Sequence, residues 1–415
     1  MLVALALVLV TFPHLRQPPV SAASVAAARP QAAAPITVPA DLGPAIESID
    51  KLVAGELARD NIGSVTVGVV ADDRLVWARS YGYADMEKKV PATVDSVYRI
   101  GSITKQFTAL MLLHLVEQGK VRLSDPVEKY FPEVNQVSGR AAGTPPITLV
   151  QVATMTSGLD REPADLDTYL KGPVSAWEKV LVSALPHTKY AYEPDTRYFY
   201  SNIGYAILGA ALGRAAGQPY TAYVRERIFG PLGMTHTAFE PNPDIAAGIA
   251  KGYAVTRSRP AAGAANAGGG QPWTIDAETP AREHQGRGYK VPNGAIYTTV
   301  ADLARFVAFE LGADVPAVLK KAALADNYTR VNSSDGALRS GYGIGFQLTR
   351  RGDLVVYGHG GSVAGYNAAA LFELNSRTGV VVLRNVSGGA VNVGQIATQA
   401  IEKLAAARKK PTTVS

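Results

Sequence analysis

The 415-residue chain contains no cysteine, which removes disulfides, a thiol nucleophile, thiolate-bound metal and a lipid anchor on cysteine from consideration together. Histidine is scarce as well. Of the 6 present, His14, His114, His187, His236 and His284 show no metal-ligand spacing, so no metal site is expected. Charged residues make up only 18%, and the net charge of +6 comes from Lys and Arg scattered singly, which argues against a nucleic-acid partner. Long apolar runs are missing too: Leu2 to Phe12 is almost wholly apolar but too short to cross a bilayer as a helix. Small residues follow it ("SAASVAAARPQAAAP"), so residues 1–34 read as a signal peptide and tether, cleaved after Ala23 or Ala28, although no Lys or Arg precedes the apolar run. This predicts an exported bacterial protein, periplasmic or secreted, with no stable membrane span once the segment is removed.

What is present suits a large folded domain. Hydrophobic residues reach 47%, enough for a sizeable core. "DLGPAIESIDKLVAGELARD" places Ile46, Ile49, Leu52, Val53 and Leu57 on one side of a helix. A hairpin follows, with Val65, Val67 and Val69 alternating, a turn at Asp72-Asp73, and a second strand from Leu75. Phe107 to Val116 form a helix apolar on nearly every side, ending near Gly119. From about Ser124 to Lys290 the signals are helices and loops, including an Ala/Gly-rich stretch from Pro260 to Pro272 that reads as a surface loop. Strands return in "DLVVYGHGG", "YNAAALFEL" and "TGVVVLRN", before a last helix over about Val391 to Ala406. The expected fold is therefore α+β: an antiparallel sheet closed by N- and C-terminal segments, flanked by helices and carrying a helical insertion subdomain. The domain should span 41–407, with a sheet lobe of about 41–123 and 291–407, a helical lobe of about 124–290, and a tail over 408–415. A cleft between sheet and insertion is the natural site.

Three short motifs carry chemistry. Ser102-Ile103-Thr104-Lys105 opens the buried helix, so a hydroxyl and an ammonium share one face near the free N–H groups of a helix start. That is what acyl transfer requires: a nucleophile, a base that burial pushes toward its neutral form, and oxyanion donors. Alone the motif is weak. Ser48-Ile49-Asp50-Lys51 also matches inside an amphipathic surface helix, and Ser102 as an N-cap beside a snorkelling Lys105 is the plainer reading. Tyr200-Ser201-Asn202 precedes a second apolar helix closing near Gly217. Tyr200 can exchange protons with Ser102 and the leaving group, and Asn202 can grip a substrate amide or orient the lysine; a core tyrosine before an N-cap is the alternative. His359-Gly360-Gly361 ends a strand, where glycine lets a substrate backbone approach and His359 can donate to a substrate carboxylate or the tetrahedral intermediate. An incidental histidine in a turn is the alternative.

In this order the pieces resemble the serine β-lactamase and penicillin-binding-protein superfamily, in its class C β-lactamase-related branch with D-alanyl-D-alanine carboxypeptidases and family VIII carboxylesterases. The pattern Ser-x-x-Lys, Tyr-x-Asn and Lys/His-x-Gly falls on Ser102/Lys105, Tyr200/Asn202 and His359/Gly361, and flanking stretches such as "YRIGSITKQFTA", "TLVQVATMTSGL", "YGIGF" and "GHGGSVAGYNA" are similar too. The resemblance covers about Asp41 to Leu404. It implies a β-lactamase/transpeptidase-like fold, no cofactor, a small-molecule or short-peptide substrate, and a Ser102 acyl-enzyme with Lys105 and Tyr200 sharing acid–base duty. Asn202, His359, Gly361 and Ser362 would face substrate, with the Ser102 and Ser362 N–H groups as the oxyanion hole.

Three positions depart from the pattern. His359 stands where efficient class C β-lactamases have Lys, so strong β-lactam turnover is not expected. Met155 replaces a common His and Asp195 a frequent Gly. The leading expectation is an esterase or D-amino-acid peptidase; a class C-like β-lactamase and a catalytically silent cell-wall peptide-binding module are the alternatives. An α/β-hydrolase is set aside, because its Gly-x-Ser-x-Gly elbow is absent: Gly360-Gly361-Ser362-Val363-Ala364 ends in Ala.

Overall fold

In the computed structural model, which describes residues 36–257 and 273–408, the predicted first helix is α1 (Gly43–Leu57) and the Val-rich alternation is β1 (Ser64–Ala71). The expected signal segment, the Pro260–Pro272 stretch and most of the tail lie outside the described residues. After the Asp72-Asp73 turn the hairpin returns as β2 (Arg74–Asp85) and ends with the short β3 (Val90–Pro91). Six later strands complete the sheet: β4 (Asn332–Ser333), β5 (Ser340–Tyr342), β6 (Gln347–Arg351), β7 (Leu354–Val363), β8 (Tyr366–Glu373) and β9 (Thr378–Arg384). The spatial order is β3-β2-β1-β9-β8-β7-β6-β5-β4, with each neighbouring pair antiparallel. The N-terminal hairpin thus lies against the last strand, Val67 opposite Val382, as the α+β expectation required.

The reason is burial on two faces. Val65, Val67, Val69 and Ala71 of β1 pack outward with Val380 and Val382 against α1 and the C-terminal helix α5 (Val393–Arg408). The inward face meets α2 (Thr104–Glu117), α3 (Asn202–Ala216) and α4 (Val300–Glu310) in a larger core, where Phe107 lies 4.3 Å from Phe306 and 5.4 Å from Phe229 between ring centroids. β5 and β6 were not anticipated. "QLTRR" buries only Leu348, too little alternation to read as a strand.

Two features position the site. β6 begins at Gln347 opposite Gly358, so residues 359–363 of β7 pair with β8 alone and present a free edge. Against that edge sits a tight 3-10 turn, Gly101–Ile103, which runs directly into α2.

Candidate active site

Ser102 is not an N-cap. It sits in the 3-10 turn before α2, makes no capping bond, and is partly exposed, while Lys105 one turn on is 0% exposed. The Lys105 Nζ lies 3.0 Å from Ser102 Oγ, 2.7 Å from Asn202 Oδ1 and 3.2 Å from the Asn293 carbonyl. Burial, the largest effect, drives the lysine pKa well below its ordinary value; Glu162 opposes this, and Lys290, Arg161 and Arg287 reinforce it. A neutral amine has two N–H groups and one lone pair. The Asn202 and Asn293 oxygens can only accept, so they take both N–H groups and leave the lone pair for the Ser102 hydroxyl. The Asn202 orientation is set independently, because its Nδ2 donates to Glu162 Oε1 at 2.6 Å. Lys51, the other Ser-x-x-Lys lysine, is exposed on α1.

Tyr200 lies alongside. Burial is the chief cause that raises its pKa, the nearby Ser102 side chain opposes this, and the Lys105 Nζ sits 4.8 Å from its ring centroid. The adjoining residues hold it in place. Ser201 caps α3, its Oγ accepting from Gly204 N at 2.9 Å. Phe199 N donates to the Met155 carbonyl at 2.8 Å and Ser201 N to Met155 Sδ at 3.2 Å, so Met155 grips the chain on both sides of Tyr200. Met155 has φ 61° and Asp195 φ 62°, both left-handed. Asp195 occupies a position suited to Gly and offsets the strain by accepting from Thr156 Oγ1 at 3.0 Å and Gln151 Nε2 at 2.5 Å.

The third motif closes the site from the sheet side. A Cβ on Gly361 would fall 1.9 Å from the Ile100 carbonyl oxygen and 3.4 Å from Ser102 N, so only glycine lets β7 approach the turn. Gly101 (φ 49°) comes equally near: a Cβ there would lie 2.8 Å from Ser362 N. The backbone N–H groups of Ser102 and Ser362 are thus brought to one place, and the Ser362 side chain is exposed.

Two of the expected substrate contacts have largely internal surroundings. His359 reaches the site, 6.2 Å from Tyr200 between ring centroids, yet is only 2% exposed. Its Nδ1 lies 2.5 Å from the Gly360 carbonyl, which can only accept, so Nδ1 carries the proton. Burial first, then Lys105, hold its pKa down to about 3, so the ring is neutral and Nε2 accepts from the Tyr342 hydroxyl at 3.1 Å. No N–H remains for a substrate carboxylate. Asn202, placed among the substrate contacts, is 8% exposed with both amide atoms engaged internally; of its two expected roles the geometry uses the second, orienting the lysine.

Several site residues carried no sequence signal. Glu162 accepts from Asn202, from Lys290 Nζ at 2.8 Å and from the Tyr289 hydroxyl, and burial's upward push on its pKa is outweighed by Lys290 and these donors. Asn293 donates to the Asn202 carbonyl at 2.7 Å while its own carbonyl receives Lys105. Tyr342 fell inside the family-like "YGIGF" stretch without an assigned role. Glu162 and Asn293 lie in loop or single-turn segments with no periodicity to mark them.

An antiparallel sheet whose open strand edge meets a Ser-x-x-Lys turn, with a tyrosine from the helical side, defines the β-lactamase/transpeptidase-like fold. The chain belongs to the beta-lactamase family, whose model matches residues 49–405. It is similar to Protein flp of Staphylococcus aureus (strain N315), 25% identical over 82% of this chain, and spans 63% of that protein's length. Among solved structures it resembles the octameric penicillin-binding protein homologue from Pyrococcus abyssi, with TM-score 0.70 and 26% identity over 87% of this chain and 77% of that one. The fold is also that of D-amino acid amidase from Ochrobactrum anthropi SV3, with TM-score 0.69 and 22% identity over 88% of this chain and 100% of that one.

Proposed function

We propose that the protein is a serine hydrolase cleaving an ester or amide, of esterase or D-amino-acid peptidase type, through an acyl-enzyme on Ser102. The observation that carries the reading is the buried Lys105 amine, 3.0 Å from Ser102 Oγ with both its N–H groups committed elsewhere. Lys105 takes the hydroxyl proton as Oγ attacks the carbonyl carbon, and the oxyanion is held by the Ser102 and Ser362 N–H groups. Tyr200 relays the proton to the leaving oxygen or nitrogen as that bond breaks. Water, deprotonated through Tyr200, then releases the acid and restores Ser102. A pure binding module would have no use for a lysine kept neutral at such desolvation cost. A neutral His359 with no free donor counts against strong β-lactam turnover, since no ammonium stands at that position to draw the carboxylate.

The test is active-site labelling with a fluorophosphonate and a penicillin, followed by turnover of a short-chain nitrophenyl ester, a D-alanyl-D-alanine peptide and a chromogenic cephalosporin. Wild type should label and Ser102→Ala should not, with ester or peptide turnover exceeding that of the cephalosporin. Absence of label on wild type with every probe would refute the hydrolase reading, and fast cephalosporin turnover alone would replace it with a β-lactamase.

A further inference from the structure

With His359 neutral and internally bonded, the cleft needs another group if it is to read charge, and one side chain is placed for it. Arg161 is exposed, and its guanidinium carbon lies 4.9 Å from the ring centroid of Tyr200. Its backbone is pinned at the start of α3, the carbonyl accepting from Asn202 N at 2.9 Å. The other cations of the cleft are committed: Lys105 is enclosed, Lys290 pairs with Glu162 at 2.8 Å, and Arg287 pairs with Glu283. Among the described residues Arg161 has no ion pair and no side-chain hydrogen bond. Lys105 feels Arg161 together with Lys290 and Arg287, opposed by Glu162; of these three cations Lys290 and Arg287 are paired with carboxylates.

We propose that Arg161 forms a carboxylate subsite at the mouth of the cleft, and that the preferred substrates are acyl compounds bearing an anionic group. The inference rests on the hydrolase reading above. A guanidinium offers a planar fork of N–H donors that matches a carboxylate, and stacking on Tyr200 restricts it without using those donors. The carboxylate can belong to the acyl part or to the leaving group, as in a peptide's free C-terminus; both present the same chemistry to Arg161.

The experiment uses two matched pairs. 4-Nitrophenyl hydrogen glutarate against 4-nitrophenyl methyl glutarate varies charge on the acyl side, and acetyl-D-alanyl-D-alanine against its C-terminal amide varies it on the leaving side, with Ser102→Ala as blank. Wild type should prefer the charged member of one pair by about tenfold or more in kcat/KM, mainly through KM, and the preference should shrink as salt rises. Arg161→Gln should bring the ratio close to one and Arg161→Lys should keep part of it, with melting temperatures confirming that both variants fold. Turnover of a neutral member without charge preference, or a preference that survives Arg161→Gln, overturns the inference alone. No turnover of any of the four compounds defeats the hydrolase reading and this inference with it.

Discussion

Lys105 is the residue on which the proposed chemistry turns, and its environment makes two measurable demands. Its pKa is depressed in the folded protein, mainly by burial, whereas in the unfolded chain it returns to about 10.4. Between those two values the unfolded state carries the extra proton, so this lysine makes the fold more stable as pH rises, by up to about 1.4 kcal/mol per pH unit. Lys105→Met should therefore flatten the rise in stability that wild type shows as pH climbs toward the ordinary lysine pKa, read from urea unfolding at each pH. The same substitution removes the proposed base, and hydrolysis should fall by about 10²–10⁴-fold. In wild type, activity should disappear as acid protonates the amine, at a pH well below the ordinary lysine range. The motif was legible in sequence, but the groups that enclose the amine were not. The Asn202 and Asn293 oxygens that commit its two N–H groups come from chain 97 and 188 positions away.

At the scale of elements, the contact between β7 and the Gly101–Ile103 turn decides whether two backbone N–H groups can meet. Gly361→Ala should push these segments apart, because the new methyl would stand 1.9 Å from a carbonyl oxygen. Overpacking of this kind costs about 1–3 kcal/mol, and a displaced oxyanion donor about 10²–10³-fold in kcat. Gly360→Ala is the control, since its Cβ would meet nothing nearer than 4.0 Å and a much smaller loss of both activity and melting temperature is expected. Elements with a strong apolar pattern were readable: α1, β1, β7 to β9 and the enclosed α2 lie where periodicity put them. β5 and β6 were not, because three residues are too few to show a period and β6 buries only Leu348.

At the scale of the molecule, the sheet is closed by its ends. Asp60, after α1, pairs with Arg384 of β9 at 2.9 Å across 324 positions of chain, with both side chains 0% exposed, and also accepts from Ala390 N at 2.7 Å. Removing one partner of a buried pair leaves the other charge stranded, so Asp60→Ala should destabilise by about 3–5 kcal/mol in urea unfolding while leaving the cleft residues untouched. Nothing in the local sequence marks Asp60 or Arg384. Each acquires meaning only when β1 and β9 become neighbours. Among the described residues no helix is long and apolar enough to cross a membrane.

The sequence by itself determined the family, the α+β architecture and the three motifs, because periodic burial and a nucleophile–lysine spacing on one helix are local properties. Tertiary structure decided what surrounds those motifs. It turned His359 inward, set Asn202 against the lysine amine, and drew Glu162, Asn293 and Arg161 to their neighbourhood. The physical reason is that desolvation and hydrogen-bond commitment depend on which distant groups surround an atom, and spacing along a chain carries no record of that.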